Sequence, residues 1–268
     1  MAPVKNLREA YGQGLVALGK QNRDVVALEA DLGKSTRSIL FQAEFPERYF
    51  EMGIAEQNMA STAAGLALVG KIPFMHSFAV FASGRAFDQL RNAVCIPGLN
   101  VRICGSSCGL SDFGDGKTHQ ALEDVAIMRA LPGMTVLSPV DATEVAKMMA
   151  CVLDWKGPVY LRINRNDLPF LTPDSEPYHI GKVWKLRDGS DAAVFANGVM
   201  VSRALEAAES LAKEGVSVRV LNVSTIKPLD QDAVIAHAAG VRAIVVAEAA
   251  NIIGGLGSAV VEAVRGVR

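Results

Sequence analysis

Glu56 occupies the setting in this sequence that is best suited to chemistry. It lies in the stretch YFEMGIAEQNMASTAAG, residues 49–65, in which a short β-rich run over 49–52 ends at Gly53. Apolar residues then recur close to helical spacing, so the stretch predicts a strand, a tight turn and a helix. Glu56 would lie in the first turn of the helix, beyond the carboxyl end of the strand, where open α/β sheets bind ligands. Two interpretations stay open: Glu56 contacts a ligand, or it only complements the helix dipole.

A histidine at the end of a long polar loop is the second residue that could do chemistry. Gly, Ser and Asp dominate residues 105–118, and a loop of this length is usually either functional or disordered. The loop ends at His119, just before a predicted helix. An imidazole near pH 7 can pass protons between oxygens, as carbon–carbon cleavage at a hydroxylated carbon requires. A loop histidine that only caps the following helix is the alternative.

The elements that must position these residues alternate regularly. Apolar spacing predicts a helix over 7–18 and strands over 25–29, 71–75, 99–104, 134–138 and 158–163, with helical segments over 78–90, 122–130 and 141–153. Asp141 is the predicted cap of the last of these helices. Strands that alternate with helices indicate an α/β fold with a doubly wound parallel sheet.

A second, smaller α/β unit follows a proline-containing segment. Periodicity stops over 164–180 while prolines accumulate, as in a semi-rigid linker. Strands over 192–196, 217–223 and 243–248 alternate with helices over 200–213 and 231–239, and a last helix follows the glycines near 254–257. We therefore expect one domain over 1–166, a linker over 167–188 and an incomplete second domain over 189–268. Three strands make a thin domain, so we expect that a carboxyl-terminal piece is lacking.

Composition narrows the function classes. The 268 residues are 50% hydrophobic and 21% charged, and the formal net charge is -1. Nothing in this composition favours nucleic acid or an anionic membrane, and no apolar run reaches the ~18 residues that a membrane span requires. Cys95, Cys104, Cys108 and Cys151 form no Cys-x-x-Cys pair, and no leader sequence begins the chain. We infer free thiols in a reducing cytoplasm.

Two of these motifs resemble one enzyme family. The segment around Glu56 and the loop sequence FGDGKTHQ, residues 113–120, resemble the pyrimidine-binding half of transketolase. The resemblance covers essentially the whole chain and is looser in the second domain, where GGLG at 254–257 is the best match. It implies that Glu56 is catalytic and contacts the aminopyrimidine ring of thiamine diphosphate. It also implies that His119 is catalytic beside the reacting carbonyl and that Asp115 binds a donor hydroxyl.

The resemblance implies further contacts to the cofactor. The segment MHSFAVFASGRAFDQLR, residues 75–91, resembles the family's aromatic pocket, where Phe78 and Phe81 would stack on the aminopyrimidine. Their spacing also suits an ordinary core stripe. Asp31 opens the loop DLGKST and matches a family Asp close to the cofactor. We expect Glu56 to lie in apolar surroundings, with Met52 and Ile54 nearby.

A phosphate clamp is implied by three more positions. Arg8, Ser35 and Arg165 match the family residues that hold the sugar phosphate, and arginine can bind phosphate bidentately. A fourth position, normally His, is Ser107 here, so the identity of the sugar stays open. Lys117 replaces the usual Pro, which predicts a less rigid loop.

The diphosphate site is not expected on this chain. The GDG at 114–116 opens the diphosphate and magnesium motif of thiamine enzymes, but no Asn pair follows near 141–146 to complete the metal shell. The resemblance therefore implies a split transketolase, in which an amino-terminal partner subunit holds the diphosphate and Mg²⁺. We expect two copies of each chain in the active enzyme, and a dimer of this chain when it is alone.

The expected activity is transfer of a two-carbon ketol unit from a ketose or ketose phosphate to an aldose. Half of a deoxyxylulose-phosphate synthase is disfavoured because that enzyme is usually one long chain. The beta subunit of a 2-oxo acid dehydrogenase is disfavoured because it lacks the THQ loop. A non-catalytic subunit that only binds a partner remains open.

Overall fold

The structure is a computed structural model that describes residues 4–265 of the chain, so the ends of the two expected domains, 1–3 and 266–268, lie outside it. The strands are β1 Val4–Asn6, β2 Val25–Glu29, β3 Tyr49–Glu51, β4 Ile72–Phe78, β5 Arg102–Ser106, β6 Thr135–Leu137, β7 Val159–Ile163, β8 Asp167–Pro169, β9 Trp184–Arg187, β10 Ala192–Ala196, β11 Val218–Asn222, β12 Thr225–Lys227 and β13 Ala243–Ala247. The helices are α1 Leu7–Gln21, α2 Gly33–Thr36, α3 Ile39–Glu44, α4 Glu56–Leu68, α5 Phe87–Gln89, α6 Asp124–Ala130, α7 Ala142–Asp154, α8 Met200–Ala212, α9 Gln231–Ala238 and α10 Leu256–Val264. Two π-helical turns, Phe81–Arg85 and Leu90–Cys95, flank α5.

The larger sheet has seven strands in the order β12-β6-β7-β5-β4-β2-β3. All neighbours from β6 to β3 are parallel, and β12 is antiparallel at one edge. Val26 and Leu28 of β2 pack in one core cluster with α4 and α6, whereas Val25 and Ala27 pack in another with α1 and α7. Helices therefore cover both faces, which confirms the expected doubly wound α/β fold.

The smaller sheet has four strands in the order β13-β10-β11-β9. The three predicted strands are parallel, and β9 is antiparallel at the edge. The sequence analysis missed β9 because this strand of four residues lies within 167–188, the segment expected to be a linker. It also predicted no strand in the proline-containing segment, where β8 pairs with β1 of the first unit.

The two units are joined by a shared sheet and by buried polar contacts. Strand β12 follows β11 of the smaller sheet but pairs with β6 of the larger one. Glu144 of α7 is buried and accepts hydrogen bonds from Asn222 Nδ2 at 2.9 Å and Ser224 Oγ at 2.7 Å. Arg162 Nη2 donates to the carbonyl of Ala249 at 2.7 Å. Burial raises the pKa of Glu144 to about 7, because a carboxylate is poorly solvated there.

Several features concern the whole chain rather than one unit. Within residues 4–265, none of the helices combines the length and hydropathy that a membrane crossing needs. All four cysteines are free thiols, and Cys95, Cys104 and Cys108 are buried. Over the same residues, no cluster of three or more His, Cys, Asp or Glu side chains is placed to hold a metal ion.

Candidate active site

Glu56 is the first residue of α4, as the sequence analysis predicted. Strand β3 ends at Glu51, and the chain turns at Gly53, whose φ of +67° lies in the left-handed region that favours glycine. Glu51 Oε1 accepts the backbone N–H of Gly53 at 3.0 Å and that of Asp31 at 2.8 Å. The turn is therefore held by a side chain of the preceding strand, and it delivers Glu56 into the interior, where only 1% of the residue is exposed.

The surroundings of Glu56 are polar, so the expectation of an apolar setting was wrong. Arg85 Nη1 donates to Glu56 Oε2 at 2.8 Å, and Ser77 Oγ donates to Oε1 at 3.2 Å. Ile54, expected close by, is 74% exposed. A buried carboxylate requires a partner of this kind, because an unpaired charge in the interior is costly. Sequence spacing around Glu56 could not identify a partner that comes from β4 and the turn beyond it.

Arg85 is positioned by a π-helical turn. This turn, Phe81–Arg85, brings the Arg85 guanidinium over the ring of Phe81 at 4.4 Å from the ring centroid. Cation–π contact adds to the ion pair with Glu56 in fixing the guanidinium. Single π-helical turns of this kind are frequent at functional sites.

Three aromatic rings lie side by side next to Arg85. The rings of Phe78 and Phe81 are nearly parallel, with an angle of 20° and 6.3 Å between centroids. His119 presents its edge to both, at 6.0 Å from Phe78 and 5.2 Å from Phe81. Phe78 is buried, whereas Phe81 and His119 are half-buried. Glu56, Arg85, Phe81 and His119 thus form one continuous row of contacts, which we call the carboxylate–aromatic row.

Arg8 and Ser35 are in direct contact. Arg8 Nη1 donates to the backbone carbonyl of Ser35 at 3.1 Å, and Asn6 Oδ1 accepts the backbone N–H of Arg8 at 3.1 Å. Asn6 Nδ2 also donates to the carbonyl of Arg165 at 3.0 Å. The pKa of Arg8 is lowered by burial first and then by the positive charges of Arg165 and Arg37. The structure therefore brings Arg8, Ser35 and Arg165 together, and we call these three residues the arginine clamp.

Arg165 has a strong anionic partner. Its Nη1 donates to Asp112 Oδ1 at 2.6 Å and lies 3.7 Å from Asp115 Oδ2. Asp112 is fully buried, whereas Asp115 is exposed. Ser107, the residue at the position where the family usually has His, is buried with a φ of +54°. The sequence analysis did not select Asp112, because nothing in the loop composition marks which aspartate turns inward.

Asp31 lies on the rim of a separate cavity of about 340 Å³. Ser35, Tyr49 and Glu51 also line this cavity. Asp31 has a φ of +61°, in the left-handed region, and its backbone N–H is held by Glu51. The cavity links Asp31 to the arginine clamp through Ser35 and to the Glu56 turn through Glu51.

A buried carboxyl close to this cavity is a further residue that the sequence analysis missed. Glu29, the last residue of β2, accepts hydrogen bonds from Thr36 Oγ1 at 2.6 Å and Ser38 Oγ at 2.5 Å. Tyr49, which lines the cavity, hydrogen-bonds the same Ser38 hydroxyl at 3.2 Å. Burial raises the pKa of Glu29 to about 7. The sequence signal that could have identified Glu29 is its charge within the otherwise apolar strand over 25–29.

Comparison with known proteins agrees with this arrangement. Residues 4–170 match the family model of the transketolase pyrimidine binding domain, and residues 181–267 match that of the transketolase C-terminal domain. The chain belongs to the transketolase family.

Individual transketolase relatives cover nearly the whole chain. A protein of Methanocaldococcus jannaschii named "Putative transketolase C-terminal section" is 43% identical over 97% of this chain and 82% of its own length. A 6-deoxy-6-sulfo-D-fructose transketolase subunit of Clostridium sp. (strain MSTE9) is 43% identical over 96% of this chain and 80% of its own length. A solved structure described as a split-gene transketolase, inactive beta4 tetramer, is 44% identical, with a TM-score of 0.89, and covers 98% of this chain and 86% of that one.

The contacts sort the residues selected by their transketolase resemblance into two groups. Glu56, Phe81 and His119 belong to the carboxylate–aromatic row, which Arg85 completes and against which Phe78 packs. Arg8, Ser35 and Arg165 form the arginine clamp, with Asp115 beside it. The structure adds Arg85 to the first group and Asp112 and Asn6 to the second.

Proposed function

We propose that this chain is the pyrimidine-binding and sugar-binding subunit of a thiamine diphosphate-dependent transketolase. The enzyme would transfer a two-carbon ketol unit from a ketose or ketose phosphate to an aldose in the cytoplasm. The observation that carries the proposal is the carboxylate–aromatic row, because it brings a buried carboxyl, flat aromatic faces and an imidazole together. The split-transketolase relatives, which align over almost the entire chain, support it.

The residues present fit the pyrimidine end of thiamine diphosphate. Glu56 offers a buried carboxyl that can share a proton with a ring nitrogen, and Phe78 and Phe81 offer faces against which a flat ring can stack. Thiamine diphosphate, when bound, supplies the carbon nucleophile that ketol transfer requires. The row around Glu56 would orient the ring and exclude water from the carboxyl. Asp31 would lie close to the same cofactor.

The sugar would be held on the other side of the site. His119 would move a proton to and from the oxygen at the reacting carbonyl. Its half-buried ring lies against Phe81, in the row that would orient the cofactor ring. Asp115 would accept a hydrogen bond from a donor hydroxyl. Arg8, Ser35, Ser107 and Arg165 would hold the far end of the sugar.

We assign the diphosphate end of the cofactor to none of these residues. Within the described part of the chain, no group of acidic, histidine or cysteine side chains is suited to a metal ion. We propose that an amino-terminal partner subunit carries the diphosphate and Mg²⁺ ligands and that two copies of each chain form the active enzyme. We also keep the domain limits of 1–166, 167–188 and 189–268 as a proposal.

Cofactor titration tests the proposed division of labour. Thiamine diphosphate with Mg²⁺ is titrated into this chain, into the candidate partner and into their mixture, with binding followed by calorimetry. We expect stoichiometric binding only in the mixture. The matched control is Glu56→Gln in the mixture, which should weaken binding without preventing assembly. Full binding by this chain alone would show that the diphosphate site had been assigned to the wrong subunit.

A further inference from the structure

Asp112 is the buried counter-ion of the arginine clamp. Its Oδ1 accepts from Arg165 Nη1 at 2.6 Å, and none of the residue is exposed. Arg165 itself is one-third exposed, so the ion pair spans from the interior to the solvent side of the clamp. Charge-assisted bonds of this length are among the strongest in proteins. The positive charge of Arg165 is therefore already offset by Asp112 before any anionic ligand binds.

The other charges around the clamp make this neutralisation effective. The positive charges of Arg165 and Arg37 lower the pKa of Arg8, and the negative charge of Asp112 opposes them. Each guanidinium in this group repels the next, and Asp112 is the buried carboxylate that offsets the repulsion. A ligand with two negative charges at this position would have to lie near the Asp112 carboxylate. Coulomb repulsion between like charges is large in a partly buried setting, because screening by water is weak.

The second carboxylate oxygen of Asp112 also bears on which ligand group the arginine clamp favours. Asp112 Oδ2 is buried and has no hydrogen-bond partner, and neither has the buried hydroxyl of Ser107 five residues earlier. Buried polar atoms are nearly always hydrogen-bonded, so Asp112 Oδ2 is a carboxylate oxygen without a protein donor to offset its charge. A sugar hydroxyl bound near this ion pair brings no further charge, whereas a fully ionised phosphate brings two negative charges.

We infer that Asp112 is a specificity-determining residue that favours sugars ending in hydroxyl groups over sugars ending in a doubly charged phosphate. The inference rests on the proposed transketolase function and concerns the far end of the same substrate. Arg165 then orients a neutral sugar end through its remaining N–H groups, while the buried Asp112 carboxylate offsets its positive charge. Asp112 acts on substrate choice and takes no part in the bond-breaking step.

The test uses the assembled enzyme with its partner subunit, thiamine diphosphate and Mg²⁺. Fructose and fructose 6-phosphate serve as matched donors, with glycolaldehyde as an acceptor that has no far end. Asp112→Asn should raise kcat/KM for fructose 6-phosphate relative to fructose by at least about tenfold, mainly through KM. Asp167→Asn is the control, because it removes an equal charge near Arg8 from a side chain bonded to Asn6. Its donor ratio should stay within about twofold of wild type.

A double-mutant cycle separates a charge effect from loss of packing. In an Arg165→Gln background, Asp112→Asn should give no gain for fructose 6-phosphate, because the counter-ion then has nothing to neutralise. Asp112→Ser replaces Asp112→Asn in the cycle if the asparagine variant does not fold. An unchanged donor ratio in a folded Asp112 variant, or an equal gain without Arg165, would overturn the inference. If the wild-type enzyme transferred no ketol unit from fructose, from fructose 6-phosphate or from hydroxypyruvate, the proposed function itself would be overturned.

Discussion

At the scale of single residues, the proposed chemistry depends on Glu56 and its two contacts. Both carboxyl oxygens are engaged, one by Arg85 and the other by Ser77. In the proposed enzyme, a cofactor ring nitrogen would share a carboxyl that is already oriented. Preorganisation of this kind is effective because the protein does not have to rearrange when the ligand arrives.

Glu56→Gln should leave the fold intact and lower turnover of the assembled enzyme by at least about 100-fold. The amide has nearly the same shape and can still accept from Ser77 or Arg85, but it cannot share a proton with a ring nitrogen. Steady-state ketol transfer and thermal unfolding are the measurements. Glu47→Gln, at an exposed carboxylate paired only with Arg48, is the matched control and should keep full activity. Turnover within a few-fold of wild type would remove Glu56 from the catalytic role.

The residue contacts also show what the sequence could not reveal. Glu56 could be found because it follows a strand and a turn within one short stretch. Its partner Arg85 is 29 positions away, and Asp112 is 53 positions from Arg165. Only the packing of separate strands and loops brings such pairs together, so local spacing carries no signal for them.

At the scale of elements, stretches with strong apolar periodicity predicted strands and helices correctly, whereas stretches with weak periodicity did not. Strands β2, β5 and β7 are buried along their whole length, and apolar runs predicted them. The π-helical turns around α5 were read as one continuous helix, because apolar spacing over so short a segment does not distinguish i→i+4 from i→i+5 hydrogen bonds. Strands β8 and β9 were missed, since each has only three or four residues and both lie in the segment expected to be a linker.

The start of α7 holds the segment that leads to the second unit. Asp141 Oδ1 accepts the N–H of Glu144 at 2.8 Å, and Oδ2 accepts those of Leu171 and Thr172, both at 2.7 Å. Asp141→Ala should lower the free energy of unfolding by about 2–4 kcal/mol, because it removes a helix cap and leaves buried N–H groups unpaired. Urea unfolding measures this change.

The control for Asp141 is Asp230→Ala, which removes a cap from α9 that accepts the N–H of Ala233 at 3.3 Å and lies 3.3 Å from the exposed Lys182 ammonium. That change should cost about 1 kcal/mol. Equal losses for the two variants would mean that the contacts to Leu171 and Thr172 contribute nothing to stability.

At the scale of the whole molecule, the junction of the two units contains a titrating carboxyl. Burial raises the pKa of Glu144 to about 7, above its ordinary value of 4.5. Between these pH values the folded chain holds a proton that the unfolded chain has lost. Stability therefore falls as the pH rises through this window, by roughly 2–3 kcal/mol from Glu144 between pH 5 and pH 8. Glu29, whose pKa is also about 7, acts in the same direction.

Glu144→Gln cannot titrate, so its unfolding free energy should fall less between pH 5 and pH 8 than that of wild type. Urea unfolding at both pH values gives the difference, which should shrink by roughly 2–3 kcal/mol. The comparison uses the difference between pH values because the amide also disturbs the bonds to Asn222 and Ser224. Glu209→Gln, at an exposed site on α8, should parallel wild type. If the unfolding free energy of Glu144→Gln fell between pH 5 and pH 8 by as much as that of wild type, a group other than Glu144 would be responsible for the pH dependence.

The division of one active site between two chains is the central claim at this scale, and reconstitution tests it most directly. The purified chain is mixed with the candidate diphosphate-binding subunit, thiamine diphosphate and Mg²⁺, and ketol transfer is followed as the subunit ratio is varied. We predict no turnover by either chain alone and a maximum at equal amounts of the two. Turnover by this chain alone, with thiamine diphosphate bound at full stoichiometry, would contradict the account.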